Sequence, residues 1–584
     1  MSLSDPARPP GPSSRRSATW PCVLALTALV AALAGTFTSG GTLGHRGPLY
    51  GWYTADTVLF ALAVVLLRRA PARRTAALVL LGSLAVALTG LLAPPRTSDD
   101  AYRYLWDGQV QAAGISPYAD APTAPALADL RVRTPALFPV TGSCTGWDLH
   151  RADGICTHIN RPTVHTIYPP VAEFWFLGLH EAGRLTGRTG VGPAQAGGAL
   201  LVVATTGALL LVLRRTRAPA HRAALWGWCP GVAAWAVNDA HVDTLGALLM
   251  VCGLGLVHGR RRGTGGVLLG LATGTKLIPV LALPGAMSGS LARGRRVSAR
   301  DLLLPGAAGL TFLLSYTPYV IASGLGVLGF LPGYLQEQGY DQGTGFGLLT
   351  LLDIPQPLLP ATVAAVLLAV VLYTLRYGDP AAPWRGALLV TGTALFLAAP
   401  GYPWYALLVV ALVAIDGRWE WLAVPVAGEA MYLSAGALQQ QAYMAALYLV
   451  LIGAAVRGLG RTARTCAPPG ARLLPLSVLR PAAAARPLAG TVALRIAPAV
   501  GPEHGAQQAQ CGGGEQGGGD QQPVSEEGVR VQAGGEVVTG DPAQDQRVPD
   551  DQQQQRDEAG DPDVVDPAAD RPRVASAPGG EQEL

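Results

Sequence analysis

Residues 68–108, RRAPARRTAALVLLGSLAVALTGLLAPPRTSDDAYRYLWDG, decide how the chain is read. Four arginines, Arg68, Arg69, Arg73 and Arg74, precede a charge-free apolar run near 75–93, and two adjacent acids, Asp99 and Asp100, follow it. A run of that length and polarity spans a bilayer as a helix. Basic clusters mark the cytoplasmic end of such a helix, so the run is expected to deliver the acids to the outer face. The same grammar continues on both sides. Spans are expected near 20–37 and 50–67, then near 195–213, 222–237, 242–258, 302–322, 360–376, 386–399, 402–416, 419–436 and 440–456. Arginine clusters at Arg214 to Arg222, Arg260 to Arg262 and Arg293 to Arg300 mark cytoplasmic turns between them.

Composition agrees with a membrane protein. Half of the 584 residues are hydrophobic, 14% are charged and the mean hydropathy is +0.30, whereas charged residues make up about a quarter of an ordinary soluble domain. The net charge of +4 hides an asymmetry: from residue 501 on, 18 acids face 5 arginines, which leaves 38 basic and 21 acidic residues before it. The expected organisation is a disordered cytoplasmic lead over 1–19, a membrane domain over 20–464 and a disordered cytoplasmic tail over 465–584. The tail is rich in Pro, Ala, Gly, Gln and acids with almost no aromatics, too little apolar surface to offset its ordering entropy. The fold class is all-α and polytopic, with about 12–14 apolar elements and a long extracytoplasmic loop over 94–167.

Three segments depart from plain spans. Residues 171–185 carry Glu173, His180, Glu181 and Arg184, which suits an amphipathic helix on the outer interface. Residues 265–290 are interrupted by Lys276 and Pro279 and read as two half-helices, a device found at buried sites. The turn Asn238 to Asp243 gathers polar side chains between two apolar runs. Seven cysteines exclude a disulfide scaffold and have no zinc spacing. Cys22, Cys229 and Cys252 lie in apolar runs as packing residues, while Cys144 and Cys156 share the outer loop, where a bridge and two free thiols are both open.

Chemistry centres on the acids after the third span. A carboxylate there could deprotonate a hydroxyl or hold a metal; Ser98 and the acids could equally cap an interfacial helix. Lys276 is the one lysine of the 43 basic residues. An ammonium among apolar residues costs about 2.5 to 3.5 kcal/mol on insertion scales, so it calls for a polar partner, either an internal acid or a lipid phosphate. Arg103 is a second phosphate candidate or a partner of Asp107. His241 and Asp243 are candidates for binding acceptor hydroxyls. Tyr102, Tyr168, Tyr402, Trp404 and Tyr405 could stack on sugar faces, although interfacial aromatic belts also account for such residues.

The run Asp99 to Gly108, followed by Gly114-Ile115-Ser116-Pro117-Tyr118, resembles the first extracytoplasmic loop of GT-C glycosyltransferases, in particular the actinobacterial polyprenyl-phosphate-mannose-dependent mannosyltransferases. Ile159-Asn160-Arg161-Pro162, Thr166-Ile167-Tyr168-Pro169-Pro170, the turn Asn238 to Asp243, Thr275-Lys276 with Pro279, and Gly401-Tyr402-Pro403-Trp404-Tyr405 are similar in order and side. The resemblance implies an inverting hexosyltransferase of the cell membrane, with its active site outside. It would take a sugar, mannose first, from a polyprenyl-phosphate donor to a glycan or glycolipid acceptor. Asp100 matches the general base of that family and Asp99 is its neighbour. Lys276 and Arg103 would meet the donor phosphate. No cofactor is certain, a divalent metal is left open, and the bilayer is expected as partner but nucleic acid is not. The rival readings are a secondary transporter and a lipid-glycan flippase or ligase.

Overall fold

The computed structural model describes residues 19–139, 144–188, 190–352 and 354–465. The expected lead over 1–19 and tail over 465–584 lie outside the described residues except for residues 19 and 465. The long helices are α1 (Trp20–Ser39), α2 (Gly47–Leu67), α3 (Ala72–Thr89), α4 (Asp100–Ala112), α5 (Pro170–Thr186), α6 (Gly192–Arg215), α7 (Asp243–His258), α8 (Arg262–Thr275), α9 (Ala299–Ser323), α10 (Leu359–Tyr377), α11 (Pro383–Ala398), α12 (Leu407–Asp416), α13 (Ala423–Leu433) and α14 (Gln439–Thr465). Seven helical stretches are long and apolar enough to cross a membrane, or eight if one bent pair counts as a single span. The protein is therefore a chiefly helical, multi-pass membrane protein.

Local chemistry sets many of the helix starts. Proline stands in the first turn of α1, α2, α5, α6, α10 and α11, where its missing N–H is no loss. Ser298 and Asp301 form a reciprocal cap at the start of α9. α1 and α2 run antiparallel, since Cys22 Sγ lies 3.8 Å from the Ala63 carbonyl and Thr36 Oγ1 donates to Asp56 Oδ2 at 2.7 Å.

The expected 12–14 apolar elements resolve into two kinds. Long helices such as α9, α10 and α14 expose apolar side chains, among them Leu313 at 66%, Leu368 and Ile452, a pattern that acyl chains can satisfy. Between them lie short or interrupted helices that are buried. α12 is the extreme case: from Leu407 to Ile415 no residue is more than 2% exposed, as befits a helix apolar all round. The segment expected near 222–237 is a turn at Ala224–Gly227 followed by a π-helix, Val232–Asn238, which meets α7 at a bend of 113°. In the segment 265–290, α8 ends at Thr275, Lys276 is extended (φ −158°, ψ 143°), and a 3-10 turn follows over Ile278–Ala282.

Residues 170–186 form α5, which is absent from the spanning set and carries buried Glu173, Phe176 and Leu179 on one face. That face packs on α4 through Gly108, where an added Cβ would stand 2.3 Å from the Phe176 carbonyl oxygen. The architecture is all-α as expected, with one short hairpin added. His150–Ala152 and Ile155–Thr157 pair as an antiparallel hairpin, β1 and β2. Asp153 (φ 51°) and Gly154 (φ 76°) make its turn, and an Asp-Gly pair readily adopts the two positive φ angles that a tight hairpin needs. Cys144 and Cys156 are joined as a disulfide that ties this hairpin to the chain before it.

Candidate active site

The site starts with the first turn of α4. Asp99 is the residue before the helix and Asp100 its first residue, where a carboxylate is favoured by the helix dipole. Neither acid acts as a side-chain cap on the helix, so both carboxylates are available for other contacts. Asn160 Nδ2 bridges them, donating to Asp99 Oδ1 and to Asp100 Oδ1 at 2.7 Å each. Beyond that bridge the two acids diverge. Asp99 Oδ2 lies 2.5 Å from His150 Nε2 on β1. Asp100 Oδ2 accepts the Tyr168 hydroxyl at 3.3 Å and faces His241 Nε2 at 3.6 Å. Asp99 is thus taken up by the loop, while Asp100 turns one oxygen inward; the two side chains are about equally exposed, 16% and 17%, so their partners and not their exposure distinguish them.

The charges around these groups follow from burial and partners. Burial opposes the charged form of His150, but the hydrogen bond and charge of Asp99, with the charge of Asp148, raise its pKa above the usual 6.5. Asp148 is held below the usual carboxylate range, chiefly by its hydrogen bond from His158. Burial first, and the charge of Asp100 second, push the Tyr168 phenol well up. It therefore stays protonated and is a donor to Asp100.

The turn between the π-helix and α7 supplies the second half. Ala240 has φ 55° although 4% exposed, a strained conformation that costs about 1–3 kcal/mol and throws its neighbours to opposite sides. Asp239 accepts from the backbone N–H of Arg96 and Thr97 at 3.2 Å and from Thr97 Oγ1 at 2.5 Å. Asn238 donates to the carbonyls of Gly90, Ala93 and Pro94. These two residues fasten the strap that leads to Asp99. His241 faces the other way, stacked on Trp404 with centroids 3.9 Å apart. Its Nδ1 pairs with the Trp235 carbonyl at 2.8 Å, which assigns the proton to Nδ1 in the neutral ring.

Asp243 opens α7 and holds Lys276. Lys276 Nζ donates to Asp243 Oδ2 at 2.8 Å and lies 4.2 Å from the Tyr405 ring centroid, so the internal acid is its partner in this structure. The Lys276 side chain keeps 16% exposure, against 3% for Asp243. His241 is within electrostatic reach of Asp100, Asp243 and Lys276 together. The acid and the lysine, 176 positions apart in sequence, therefore border one cluster, with His241, Asp243, Trp404 and Tyr405 between them.

Other expected residues land as follows. Arg103 is 5% exposed and donates to the carbonyls of Asn160, Arg161 and Val164; it anchors the loop, and this corrects its expected place at a phosphate. Tyr102 stacks on His158 and donates to Asp148 at 3.4 Å, which makes it a packing residue of the loop instead of a substrate contact. Asp107 is 2% exposed and forms no ion pair within 4 Å among the described residues. Tyr402 and Trp404 stand 5.0 Å apart beside Tyr432, whose hydroxyl donates to the Thr97 carbonyl. Among the described residues, no group of three or more His, Cys, Asp or Glu side chains could hold a metal ion.

Asn160, Arg161 and His150 carry more of the site than their sequence context suggests. Arg161, at φ 45°, pairs with Glu337 at 2.8 Å and reaches Tyr402. Asn160 and Arg161 stand shortly before the Tyr-Pro-Pro run, which marks them in sequence; His150 was missed, and the pair Asp153-Gly154 is the one signal that points to its hairpin. Fold and site together define a multi-pass membrane protein with a carboxylate and a cation around one aromatic cluster. Comparison with family models, with curated proteins and with solved structures finds no match to the chain.

Proposed function

We propose that the protein is a GT-C-like, inverting glycosyltransferase of the cell membrane, which moves a hexose, mannose first, from a polyprenyl-phosphate donor to an extracytoplasmic glycan or glycolipid acceptor. The observation that carries this reading is that Asp100 faces His241 while Lys276 pairs with Asp243, and His241 and Asp243 are two residues of one turn. In the proposed reaction Asp100 removes the proton of an acceptor hydroxyl, and that oxygen attacks the anomeric carbon. The bond from that carbon to the phosphate oxygen breaks, and polyprenyl phosphate leaves beside the Lys276 ammonium. A base held within hydrogen-bond reach supplies about 10²–10⁴-fold of rate. The ammonium has three donors, and Asp243 takes one. Tyr402, half-buried, would meet the sugar face, with Trp404, 4% exposed and stacked on His241, supporting it from behind, and the lipid chain would run along the apolar exterior.

The test is incubation of the purified full-length chain, in lipid nanodiscs, with a panel of polyprenyl-phosphate sugars and analysis of the lipid and glycan products. Transfer from at least one sugar, lost in Asp100→Asn at unchanged expression, supports the reading; no transfer from any sugar, or full activity in the variant, rejects it. A transporter is the second reading, favoured by the 113° bend and the ion pair at its base. Sugar uptake into proteoliposomes without a lipid-linked donor would favour it.

A further inference from the structure

On the membrane face away from the proposed site, a groove of about 580 Å³ lies between the first turns of α1 and α3. The antiparallel pairing of α1 with α2 and the short connection 68–71 bring the start of α1, the end of α2 and the start of α3 to one side. Arg68, Arg69, Arg73 and Arg74 all stand there and are exposed, and none has an acidic partner within 4 Å among the described residues. No acidic residue occupies the first turn of α1 or α3, so the positive ends of two helix dipoles are not answered by the protein itself.

The groove is graded along its length. Arg74, Ala77, Leu78 and Leu81 line it from α3, a spacing of three, four and seven that puts them in one stripe about 10 Å long. Trp20 and Val23 line it from α1. The basic end sits at the helix starts and the apolar end runs inward, to Leu81 at 65% exposure and the neighbouring Leu24 at 51%. Trp20, 63% exposed, has the position of an interfacial aromatic anchor. A soluble anion would use only the basic end, whereas a molecule with a phosphate head and an acyl chain complements both.

We propose that this groove binds one anionic phospholipid of the bilayer, its phosphate beside Arg74 at the starts of α1 and α3 and its acyl chain along Ala77, Leu78 and Leu81. The full-length protein is placed in nanodiscs of phosphatidylcholine containing a minor fraction of phosphatidylglycerol, extracted gently, and the retained lipids are counted by native mass spectrometry. Wild type is expected to keep one phosphatidylglycerol per chain in preference to phosphatidylcholine, unchanged by millimolar inorganic phosphate. Arg74→Gln should lower that retention about tenfold, the effect of losing one charge-assisted contact. Ala77→Trp, which fills the groove and leaves every arginine in place, should lower it as well. Equal retention of the two lipids, competition by free phosphate, or retention unchanged in both variants would overturn the proposal. So would a photoactivatable phosphatidylglycerol that cross-links elsewhere while cross-links within the chain show residues 1–18 in the groove.

Discussion

Asp99 and Asp100 are chemically the same and adjacent, and their partners separate them. Asp99 has Asn160 on one oxygen and His150 on the other, while the second oxygen of Asp100 meets only a long contact from Tyr168 and the ring of His241. Under the proposed function, Asp100→Asn should lower the transfer rate about 10²–10⁴-fold, and Asp99→Asn should cost about tenfold or less. Initial rates on one donor decide this, and equal losses would contradict the division of roles. The His150 pair gives a pH test. Because its pKa is raised in the fold, the pair stabilises the loop fully below pH 6.5 and loses that contribution as the pH rises through the raised value. Trypsin cleavage at the exposed Arg151, normalised at each pH to cleavage of an unstructured arginine peptide by the same trypsin, should accelerate from pH 6 to pH 9 in wild type and change little in His150→Ala. At this scale the sequence made the acids, the lysine, His241 and Asp243 legible, because each is an exception in an apolar background. Only the resemblance put Asp100 ahead of Asp99; the physical difference between them lies in His150, Tyr168 and His241, which sequence keeps far away, and the place of Arg103 depends on carbonyls of a distant loop.

Two elements set the position of Asp100. The first is the α4–α5 pair, which Gly108 lets approach to backbone contact. Gly108→Val should cost about 1–3 kcal/mol by overpacking and move the start of α4; a lowered thermal midpoint together with lost transfer checks it. Between the same helices lie Asp107 and Glu173. Burial raises Asp107 to about 6 and pushes Glu173 well above the usual range, the latter further raised by the charge of Asp107. Their protonated forms suit the fold, so the contribution of this pair to stability should be fullest below about pH 4 and be lost as the pH rises through 6. Asp107→Asn should flatten that fall in thermal unfolding curves. The second element is the hairpin with its disulfide. Closing a loop of this size is worth about 3 kcal/mol in the chain-entropy treatment, so Cys144→Ser should loosen His150 and raise trypsin cleavage at Arg151. Spans such as α1, α6 and α14 were readable from hydropathy alone. The hairpin was not, because its strands are three residues each and lack apolar alternation. The short buried helices around α12 were over-read as full spans, because local hydropathy does not tell lipid-facing residues from those buried in protein.

For the molecule as a whole, the proposed function joins pieces of chain that sequence keeps apart: the loop at 99–100, the turn at 241–243, the break at 276 and the aromatic run at 402–405. Their order, and the facing of Asp100 and Lys276, were expected from a resemblance; the means by which they approach was not legible, since it depends on a π-helix, a strained Ala240 and a 113° bend with no simple sequence signature. The orientation expected from the arginine clusters is testable as well. A cysteine introduced at Asp129, exposed on the loop, should react with an impermeant maleimide from outside intact cells, and labelling only after lysis would invert the topology. The most direct measurement is a cryo-EM structure of the full-length chain with a non-transferable polyprenyl-phosphonate sugar. The proposal predicts the phosphonate against Lys276 and the anomeric carbon turned toward Asp100. A donor bound away from either side chain, or Asp100 and Lys276 opening onto separate cavities, would contradict it.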